Sequence, residues 1–526
     1  MKNIDLLFFD NNNYQPSDAG NINDFYISDM GLEHIKHLEA FFNPESYDIF
    51  INTISRPVTS AEKIKERQNI LKDFIEFPGI AQKMKAICDE IQKNKCRSSE
   101  NNAKRRLIEF QNILTKSMDI SYELLSHLKH RDFCSSALKD LRSQLDCREN
   151  IERVKSRIDS FVKCCVNDNI VLNIEHGSGF KFRNAYVYSG SSANQKNSQS
   201  FIKENAVFKF LQNKIPKQNK QKEIINGFYY HSEYGFLPLE AQTEEVLGAA
   251  MPYATSVITD LNRHILSFCA NLSKQLAFYI ACIDIIKFME NKNIKTVYPE
   301  ICAEEKKIKA KNLYDFGLLL PKDNININSD EIKFVTPNDF DDSGDAVYLI
   351  SGANQGGKTT FIKSIGIAQL FAQAGLKVPA EEYKCPVFNN FFSHFPKDED
   401  EDLNFGKLAE ELTRIKKAMP IITGNALVLL NESFATTTET EGFEIASEIL
   451  RAVFESKNPP KILFVTHNYQ LLKKRHEVSK LLSRGTKIKS LIVSEGKTST
   501  DRTYKIIEGE PQENIKTMDF FGNLTR

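Results

Sequence analysis

The chain has 526 residues, a length that predicts about three domains. Apolar residues make up 41% and charged residues 26%, which is typical of a globular protein with a substantial core. Lys and Arg (69) balance Asp and Glu (69), so the composition excludes a generally basic nucleic-acid binder and leaves only local patches for such contacts.

The cysteines and the apolar runs predict the compartment. The ten cysteines show neither a zinc-binding spacing nor a C-x-x-C pair, and reduced thiols of a cytosolic protein are the simpler interpretation. No apolar run is predicted to span a membrane, and residues 1–10 have no leader cleavage site. We therefore expect a cytoplasmic protein without a membrane partner.

Residues 1–165 are predicted to form the first half of a mainly helical region. Thr59 or Ser60 is placed to cap a helix whose apolar positions, among them Ile64 and Ile70, recur at helical spacing. Pro78 and Gly79 are expected to end this helix, and further helices are expected beyond them.

Residues 166–240 are predicted to form a small β insertion. Two apolar runs, 170–174 and 185–188, indicate strands on either side of a glycine-containing turn. The stretch 189–223 that follows is polar and rich in lysine, so it is either a solvated loop or a surface that contacts a nucleic-acid backbone. The candidates for that contact are Lys209, Lys214, Lys217 and Lys220.

Residues 241–300 are predicted to begin with a long helix that serves as a rigid arm and then to return to the core. The helix is expected over 241–291, after early breaks at Gly248 and Pro252. A connector is predicted at 299–330. The remainder of residues 301–526 alternates strands and helices, which predicts an α/β fold with a mostly parallel sheet and a ligand at the carboxyl ends of its strands.

A phosphate-binding loop is the most specific motif of the chain. The segment that starts at Gly352 fits G-x-x-x-x-G-K-[ST], follows a predicted strand at 346–350 and opens a predicted helix at 359–374. Backbone N–H groups of such a loop bind phosphate oxygens, Lys358 reaches the outer phosphates, and the Thr359 hydroxyl can hold Mg²⁺. The residues predicted to bind a nucleoside triphosphate are Gly352, Asn354, Gly356, Gly357, Lys358, Thr359 and Thr360.

Two further predicted strands end in residues that suit nucleotide hydrolysis. The run 426–430 is followed by Asn431 and Glu432, where an acidic pair would hold the Mg²⁺ shell and polarise the attacking water. Because Asn431 carries no charge, weaker Mg²⁺ binding and slow hydrolysis are predicted. A third run, 462–465, leads to His467, which is placed to sense the γ-phosphate. The predicted catalytic residues are Glu432, His467 and Lys358, and the predicted metal-holding residues are Thr359 and Asn431.

With these motifs the chain resembles the ATPase domain of the MutS family of mismatch-repair proteins. The matching motifs occur in the family's order and lie at 352–358, 373–375, 378–380, 431–442, 466–467 and 487–509. Looser similarity to the family's lever and core helices extends to 56–70 and 272–299. The resemblance implies an ABC-type P-loop ATPase domain preceded by an elongated, mainly helical lever and clamp region, with ATP and Mg²⁺ as cofactors.

The resemblance also implies a homodimer through the ATPase domains. In the ABC class two subunits enclose ATP, and a helix of one subunit faces the γ-phosphate held by the other. Counting back about 25 residues from Asn431 places the start of that helix at Gly406, where the family usually has Ser-Thr and this chain has Gly-Lys. Asn338 matches an element near the nucleotide base.

The nucleic-acid partner is less closely specified. Core-like sequence begins by about Phe25, which leaves no room for the family's mismatch-reading and connector domains, so direct mismatch reading is not expected. Three functions stay open: a clamp-like ATPase on double-stranded or branched DNA in repair, recombination or defence, an ATP-binding and weakly hydrolysing scaffold for a protein partner, and a factor that acts on RNA or ribosomes.

Overall fold

The computed structural model describes residues 6–7, 21–22, 25–38, 44–93, 103–146, 156, 170–176, 182–189, 239–320, 335–344, 346–396, 406–495 and 502–511. The chain divides into two compact units. The first unit comprises Met1–Ile4, Gln82–Asp132 and Leu138–Ser273, and the second comprises Asp5–Ala81, Phe133–Ala137 and Lys274–Arg526. The predicted nucleotide site lies entirely in the second unit.

A seven-stranded sheet organises the second unit. Its order is β1-β9-β10-β11-β7-β12-β13, and every neighbouring pair is parallel except the closing hairpin of β12 and β13. The strands are β1 Asn21–Ile22, β7 Val347–Ser351, β9 Asn390–His394, β10 Ala426–Asn431, β11 Lys461–Val465, β12 Ile488–Glu495 and β13 Arg502–Glu508. The mixed, mostly parallel sheet agrees with the α/β class predicted for this part of the chain.

The central strands are buried along their whole length. Every residue of β7, β10 and β11 is buried, which explains why these strands appear in the sequence as continuous apolar runs. In the part of the second unit that the structure describes, five α-helices lie between β7 and β12 in the chain. These helices are α8 Lys358–Ala374, α9 Lys407–Ile422, α10 Glu439–Phe454, α11 Tyr469–Lys473 and α12 Arg475–Leu481. Four of them contribute apolar residues to the core cluster that includes the strands of this sheet, and α8 is buried over most of its length.

A four-stranded sheet corrects the prediction of a connector at 299–330. Its order is β4-β8-β5-β6, built from β4 Glu300–Ile301, β5 Lys309–Leu313, β6 Asn338–Asp341 and β8 Glu382–Cys385. These strands are short and pair with segments about 30 to 80 residues away, so no local alternation announces them. Directly after β6, the buried Asp342 carboxylate forms an ion pair with Lys461 of β11 and accepts hydrogen bonds from Ile308 and Gly344.

The N-terminal segment belongs to the edge of the seven-stranded sheet. Strand β1 pairs in parallel with β9, and the short helix α1, Tyr26–Asp29, follows it. The buried Asp29 carboxylate accepts a hydrogen bond from Ser393 Oγ at 2.6 Å and lies 3.3 Å from Arg414 Nη2 on α9. The Phe25 ring lies 4.2 Å from the Arg414 guanidinium carbon. This segment therefore holds one side of α9 in place.

Five further α-helices of the described chain lie within residues 1–165 and agree with the helical character expected there. They are α2 Pro44–Ile54, α3 Ala61–Glu76, α4 Ile80–Lys93, α5 Ala103–Leu128 and α6 Ser136–Leu145. Ser60 caps α3, its side chain accepting from Lys63 N, and the helix ends before Pro78 as predicted. Strands β2 Ile170–His176 and β3 Phe182–Ser189 form an antiparallel pair, as the two apolar runs predicted.

The long predicted helix is α7, which runs from Leu239 to Asn291. It is continuous through Gly248 and Pro252, so the predicted early breaks were wrong. A proline removes one backbone hydrogen bond, and a helix of 53 residues keeps the others on either side of it.

The segment Asn262–Asn291 of α7 is long and apolar enough, by length and composition alone, to cross a membrane. The expectation that no apolar run has the length and composition of a membrane span therefore does not hold for this segment. In the second unit its side chains Leu276, Phe278 and Ile285 are fully buried, and the Tyr279 hydroxyl donates to the Leu6 carbonyl at 2.6 Å. Packing in a protein core accounts for the apolar character of this segment.

Candidate nucleotide site

Three neighbouring strands of the seven-stranded sheet deliver the predicted site residues to one edge. In the order β10-β11-β7, these strands end at Asn431, Val465 and Ser351. Because the carboxyl ends of parallel strands meet at the same edge, the segments that follow them are brought together there. The distances between these segments show which side chains meet.

The loop between β7 and α8 has the backbone of a phosphate cradle. Gly352, Gln355 and Gly357 have φ values of 129°, 60° and 91°, which are left-handed and strained for residues with a Cβ atom. A Cβ atom at Gly352 or at Gly356 would also stand 2.8 Å from a methyl carbon of Val493. Gly357 is the N-cap of α8 and offers no side-chain cap, so the N–H groups of the first helical turn are available to an anion. The loop therefore fits a bound phosphate.

Lys358 is directed at the loop itself. Its ammonium group donates to the carbonyls of Gly352 and Ala353, each at 2.9 Å, and the side chain is buried. Burial lowers the pKa of Lys358, and the Glu432 carboxylate raises it. The lysine is thus held over the phosphate loop, in reach of the groups that the loop would bind.

Thr359 and Asn431, the two predicted metal-holding residues, contact each other. The Thr359 hydroxyl donates to Asn431 Oδ1 at 2.9 Å, and Asn431 is buried at the end of β10. Two oxygen atoms are the ligand type that Mg²⁺ takes in phosphate sites, and this pair fits the ion, although neither group carries a charge. The pair would hold Mg²⁺ more weakly than a hydroxyl beside a carboxylate would.

Glu432 and His467 form the second contact of the site. His467 Nε2 lies 3.5 Å from Glu432 Oε1, and both side chains are about one third exposed. Burial, and then the positive charge of Lys358, lower the pKa of His467, while the Glu432 carboxylate opposes this shift. The lowered pKa favours the neutral imidazole, in which one ring nitrogen donates a hydrogen bond and the other accepts one.

Asn338 forms hydrogen bonds to the closing hairpin of β12 and β13. Its Nδ2 donates to the Tyr504 carbonyl at 3.0 Å, and its Oδ1 accepts from the Ile506 N–H at 2.8 Å. The backbone of Tyr504 passes the phosphate loop, 3.4 Å from where a Cβ atom of Gly357 would be. Asn338 thus fixes the hairpin beside the loop, and the contact with a nucleotide base remains a prediction.

The other predicted residues lie in different surroundings. Asn354 is exposed on the loop and Thr360 is half-buried in the first turn of α8. Gly406 is the exposed N-cap of α9 with φ −62°, and no described atom lies within 4 Å of a Cβ atom added there. The four candidate lysines, Lys209, Lys214, Lys217 and Lys220, lie outside the described residues.

Several residues of this edge were missed from the sequence. His394 ends β9 and its Nδ1 lies 2.8 Å from Ser433 Oγ, directly after Glu432. Glu411 of α9 accepts the Phe434 N–H at 2.8 Å, and Arg502 of the hairpin donates to Gln355 of the phosphate loop at 2.6 Å. Of these residues, only His394 could have been assigned to the site from the sequence, because a polar residue that ends an apolar run is expected at the ligand edge of such a sheet.

Comparisons with known protein families agree with this geometry. Residues 348–515 match the family model of MutS domain V, a P-loop ATPase domain, and residues 59–292 match that of the MutS2 N-terminal domain. The two matches cover both the nucleotide site and most of the helical region. They do not overlap, and they follow each other in the order in which the two regions occur in the chain.

Individual relatives show the same similarity at low identity. The chain is 24% identical over 450 residues to the DNA mismatch repair protein MutS of Listeria monocytogenes, covering 80% of this chain and 50% of the relative. It is 26% identical over 372 residues to the endonuclease MutS2 of Lactobacillus helveticus, covering 68% of this chain and 40% of the relative. A MutS of Petrotoga mobilis is 31% identical over 154 residues, which are 29% of this chain and 19% of the relative.

The chain spans half or less of the length of these relatives. The match is therefore specific for two regions and does not transfer the activity of a whole relative to this chain. Residues 59–292 and 348–515 are therefore similar to two domains of the MutS family, and the family domain that the second region matches is a P-loop ATPase domain.

Proposed function

We propose that the chain binds ATP with Mg²⁺ at the edge formed by β7, β10 and β11 and hydrolyses it slowly, as a homodimer that acts on DNA in the cytoplasm. The observation that carries the proposal is the meeting of three pairs at this edge. Lys358 contacts the phosphate loop, Thr359 contacts Asn431, and His467 contacts Glu432. A phosphate-binding loop alone would support binding, whereas the carboxylate and imidazole beside it supply the groups that hydrolysis needs.

Each pair has a role in this reaction. Lys358 and the loop N–H groups bind the phosphates and stabilise negative charge that develops on them. Glu432 orients the attacking water and accepts its proton, and the neutral His467 beside it holds the water or the γ-phosphate by a hydrogen bond. Mg²⁺, held near Thr359 and Asn431, would neutralise phosphate charge when it is bound.

Slow hydrolysis follows from Asn431. Its amide oxygen occupies the position beside the Thr359 hydroxyl, so the geometry expected for metal binding is kept without the negative charge. At the distances of such a site one full charge is worth several kcal/mol before desolvation is subtracted. We propose that the reduced Mg²⁺ affinity limits turnover, and that Glu432 remains competent.

The DNA partner is proposed from the relatives and from the lysine-rich stretch 189–223. Two of the relatives are named DNA mismatch repair proteins, and the chain is similar to one of them over 450 residues and to the other over 154 residues. Clustered lysines replace the counterions of a phosphate backbone without reading its sequence. We propose double-stranded or branched DNA as the ligand, bound without direct mismatch reading, in repair, recombination or defence.

The test is ATP turnover by the purified full chain, alone and with duplex, branched or single-stranded DNA. Measurable turnover that falls by about a hundredfold or more in Glu432→Ala is expected, because general-base catalysis contributes about that factor. Glu444→Ala, an exposed acidic residue of α10, is the matched control and should keep the wild-type rate. Wild-type turnover that Glu432→Ala leaves unchanged would refute the role of this site.

DNA binding has its own test. Substituting Lys209, Lys214, Lys217 and Lys220 by Gln should reduce the slope of log affinity against log salt by about 3 to 4, the value for four phosphate contacts. ATP turnover without DNA should stay unchanged in this variant. Absence of DNA binding by the wild type at low salt would rule out the DNA partner.

A second function is favoured by the uncharged Thr359–Asn431 pair. The chain would then bind ATP as a switch for a protein partner or for RNA and would hydrolyse it poorly. This alternative predicts ATP binding without turnover in the wild type, and turnover in Asn431→Asp. The proposed ATPase predicts turnover in both proteins, so one assay separates the two functions.

A further inference from the structure

The loop that carries Glu432 has an unusual backbone. Glu432 and Phe434 have φ values of 51° and 65°, which place two residues with side chains in the left-handed region within three positions. A non-glycine residue in this region persists only where surrounding contacts fix it, and such residues cluster at functional sites. The orientation of the Glu432 carboxylate therefore depends on what holds the loop.

Three hydrogen bonds hold this loop, one at each residue. The Glu432 N–H donates to the Val465 carbonyl at 2.8 Å, which ties the loop to β11. The Ser433 hydroxyl pairs with Nδ1 of the buried His394 at 2.8 Å, which ties it to the end of β9. The Phe434 N–H donates to Glu411 Oε2 at 2.8 Å, and this bond comes from a helix, α9, rather than from the sheet.

Of the three hydrogen bonds, only the one accepted by Glu411 involves a charged group. A carboxylate that accepts a backbone N–H forms a charge-assisted hydrogen bond, which is shorter and stronger than a neutral one. Burial raises the pKa of Glu411, and the hydrogen bond from the Phe434 N–H lowers it. The bond therefore offsets part of the energetic cost of burying this carboxylate. Phe434 itself is buried in the core between β10 and α10, which prevents its N–H from turning towards another acceptor.

Helix α9 is also held by Arg414, one turn beyond Glu411. Arg414 Nη2 donates to the Ser393 carbonyl at 2.9 Å and to Asp29 Oδ2 at 3.3 Å. At the start of the helix, a Cβ atom added to the exposed Gly406 would have no described atom within 4 Å, and in the first turn Leu408 packs against the core. A shift of this first turn would act on Glu411, which lies between the turn and Arg414, and through it on the loop.

We propose that Glu411 is a positioning residue that couples the position of helix α9 to the orientation of Glu432. When Glu411 accepts the Phe434 N–H, the loop keeps its left-handed backbone and Glu432 stays beside His467. When α9 is displaced, the bond is lost and Glu432 turns away, so hydrolysis stops while the nucleotide stays bound. This inference rests on the proposed ATPase function, and it adds a regulatory contact to it.

The test compares two conservative variants with opposite properties. Glu411→Gln keeps the length of the side chain and an oxygen acceptor but loses the charge, whereas Glu411→Asp keeps the charge but is one methylene too short. The inference predicts that Glu411→Asp, which cannot reach the Phe434 N–H, lowers kcat for ATP at least tenfold and changes KM less than twofold. Glu411→Gln keeps the bond in a weaker, neutral form and should lower kcat by no more than about threefold. A general electrostatic role of the carboxylate predicts the reverse order.

Glu410→Gln and Glu410→Asp on the exposed neighbouring position are the matched controls and should match the wild type. Thermal melting of every variant shows whether it is folded, and both Glu411 variants carry polar side chains that a half-exposed helix position tolerates. Wild-type kcat in Glu411→Asp would overturn the inference and leave the ATPase standing. Absence of turnover in the wild type would overturn both.

Discussion

His394 makes a specific prediction about stability and pH. Its imidazole is buried at the end of β9, only 3% exposed, and pairs with the Ser433 hydroxyl. Burial, and then the positive charge of Arg414, lower the pKa of His394 from 6.5 to about 4. The folded protein therefore keeps this histidine neutral over a range of pH in which the unfolded chain protonates it.

The direction and size of the effect follow from linkage. Between pH 6.5 and about 4 the unfolded state binds one more proton at this position than the folded state, so stability falls as the pH falls. The stability that the neutral His394 contributes is complete above pH 6.5 and is lost as the pH falls to about 4. The difference between 6.5 and about 4, at about 1.36 kcal/mol for each pH unit, corresponds to about 3 kcal/mol.

The assay is urea unfolding at a series of pH values, followed by far-UV circular dichroism because the chain has no tryptophan. His394→Asn removes the titration and keeps a hydrogen-bonding atom near the position of Nδ1. The unfolding free energy of the wild type minus that of His394→Asn should decrease by about 3 kcal/mol from pH 7 to pH 4. His476→Asn, at an exposed position, is the control and should follow the wild type. A difference that stays constant over this range would refute the reasoning.

Three further predictions concern other parts of the second unit. Asn431→Asp should lower the Mg²⁺ concentration for half-maximal ATP turnover about tenfold, since a carboxylate replaces an amide beside Thr359; an unchanged Mg²⁺ titration would contradict this. Lys461→Met should destabilise the fold by about 3 to 5 kcal/mol in urea unfolding, because it leaves the buried Asp342 carboxylate without its ion pair; a loss below about 1 kcal/mol would contradict this. Gly406→Ala should change the melting temperature by less than about 2 °C, since the added Cβ meets open space at an ordinary φ; a larger drop would show that the fold itself requires this glycine.

The elements around the phosphate loop were predictable because their signals are local. The predicted strand 346–350 is β7 at Val347–Ser351, and the predicted helix 359–374 is α8 at Lys358–Ala374, each within one residue. An uninterrupted apolar run indicates a strand buried on both faces, and Gly375, with φ 84°, ends the helix where a glycine was expected to end it. Asn431, Glu432 and His467 could be assigned to the same edge for this reason, since each lies at the end of such a run or within two residues of it.

The β1 edge of the seven-stranded sheet and the whole four-stranded sheet were not predictable, because they depend on distant pairing, whereas the closing hairpin of β12 and β13 is local and was predicted. Strand β1 is two residues long and pairs with β9, more than 360 residues later, and β4 is two residues long as well. Strands of this length carry no periodicity, so the sequence contains the residues of the pair but no sign of the partner. The prediction of a connector at 299–330 failed in this way.

The backbone of the Glu432 loop was equally hidden, and it bears on whether Asn431 marks a site that has lost its activity. Left-handed residues at Glu432 and Phe434 cost about 1 to 3 kcal/mol each, and the contacts from His394 and Glu411 serve to hold them. Binding of a nucleotide needs the phosphate loop and Lys358, none of which requires this conformation. Orientation of a carboxylate towards an attacking water does require it. A strained loop with these supporting contacts therefore supports the proposal that Glu432 is competent and that Asn431 slows the reaction rather than ending it.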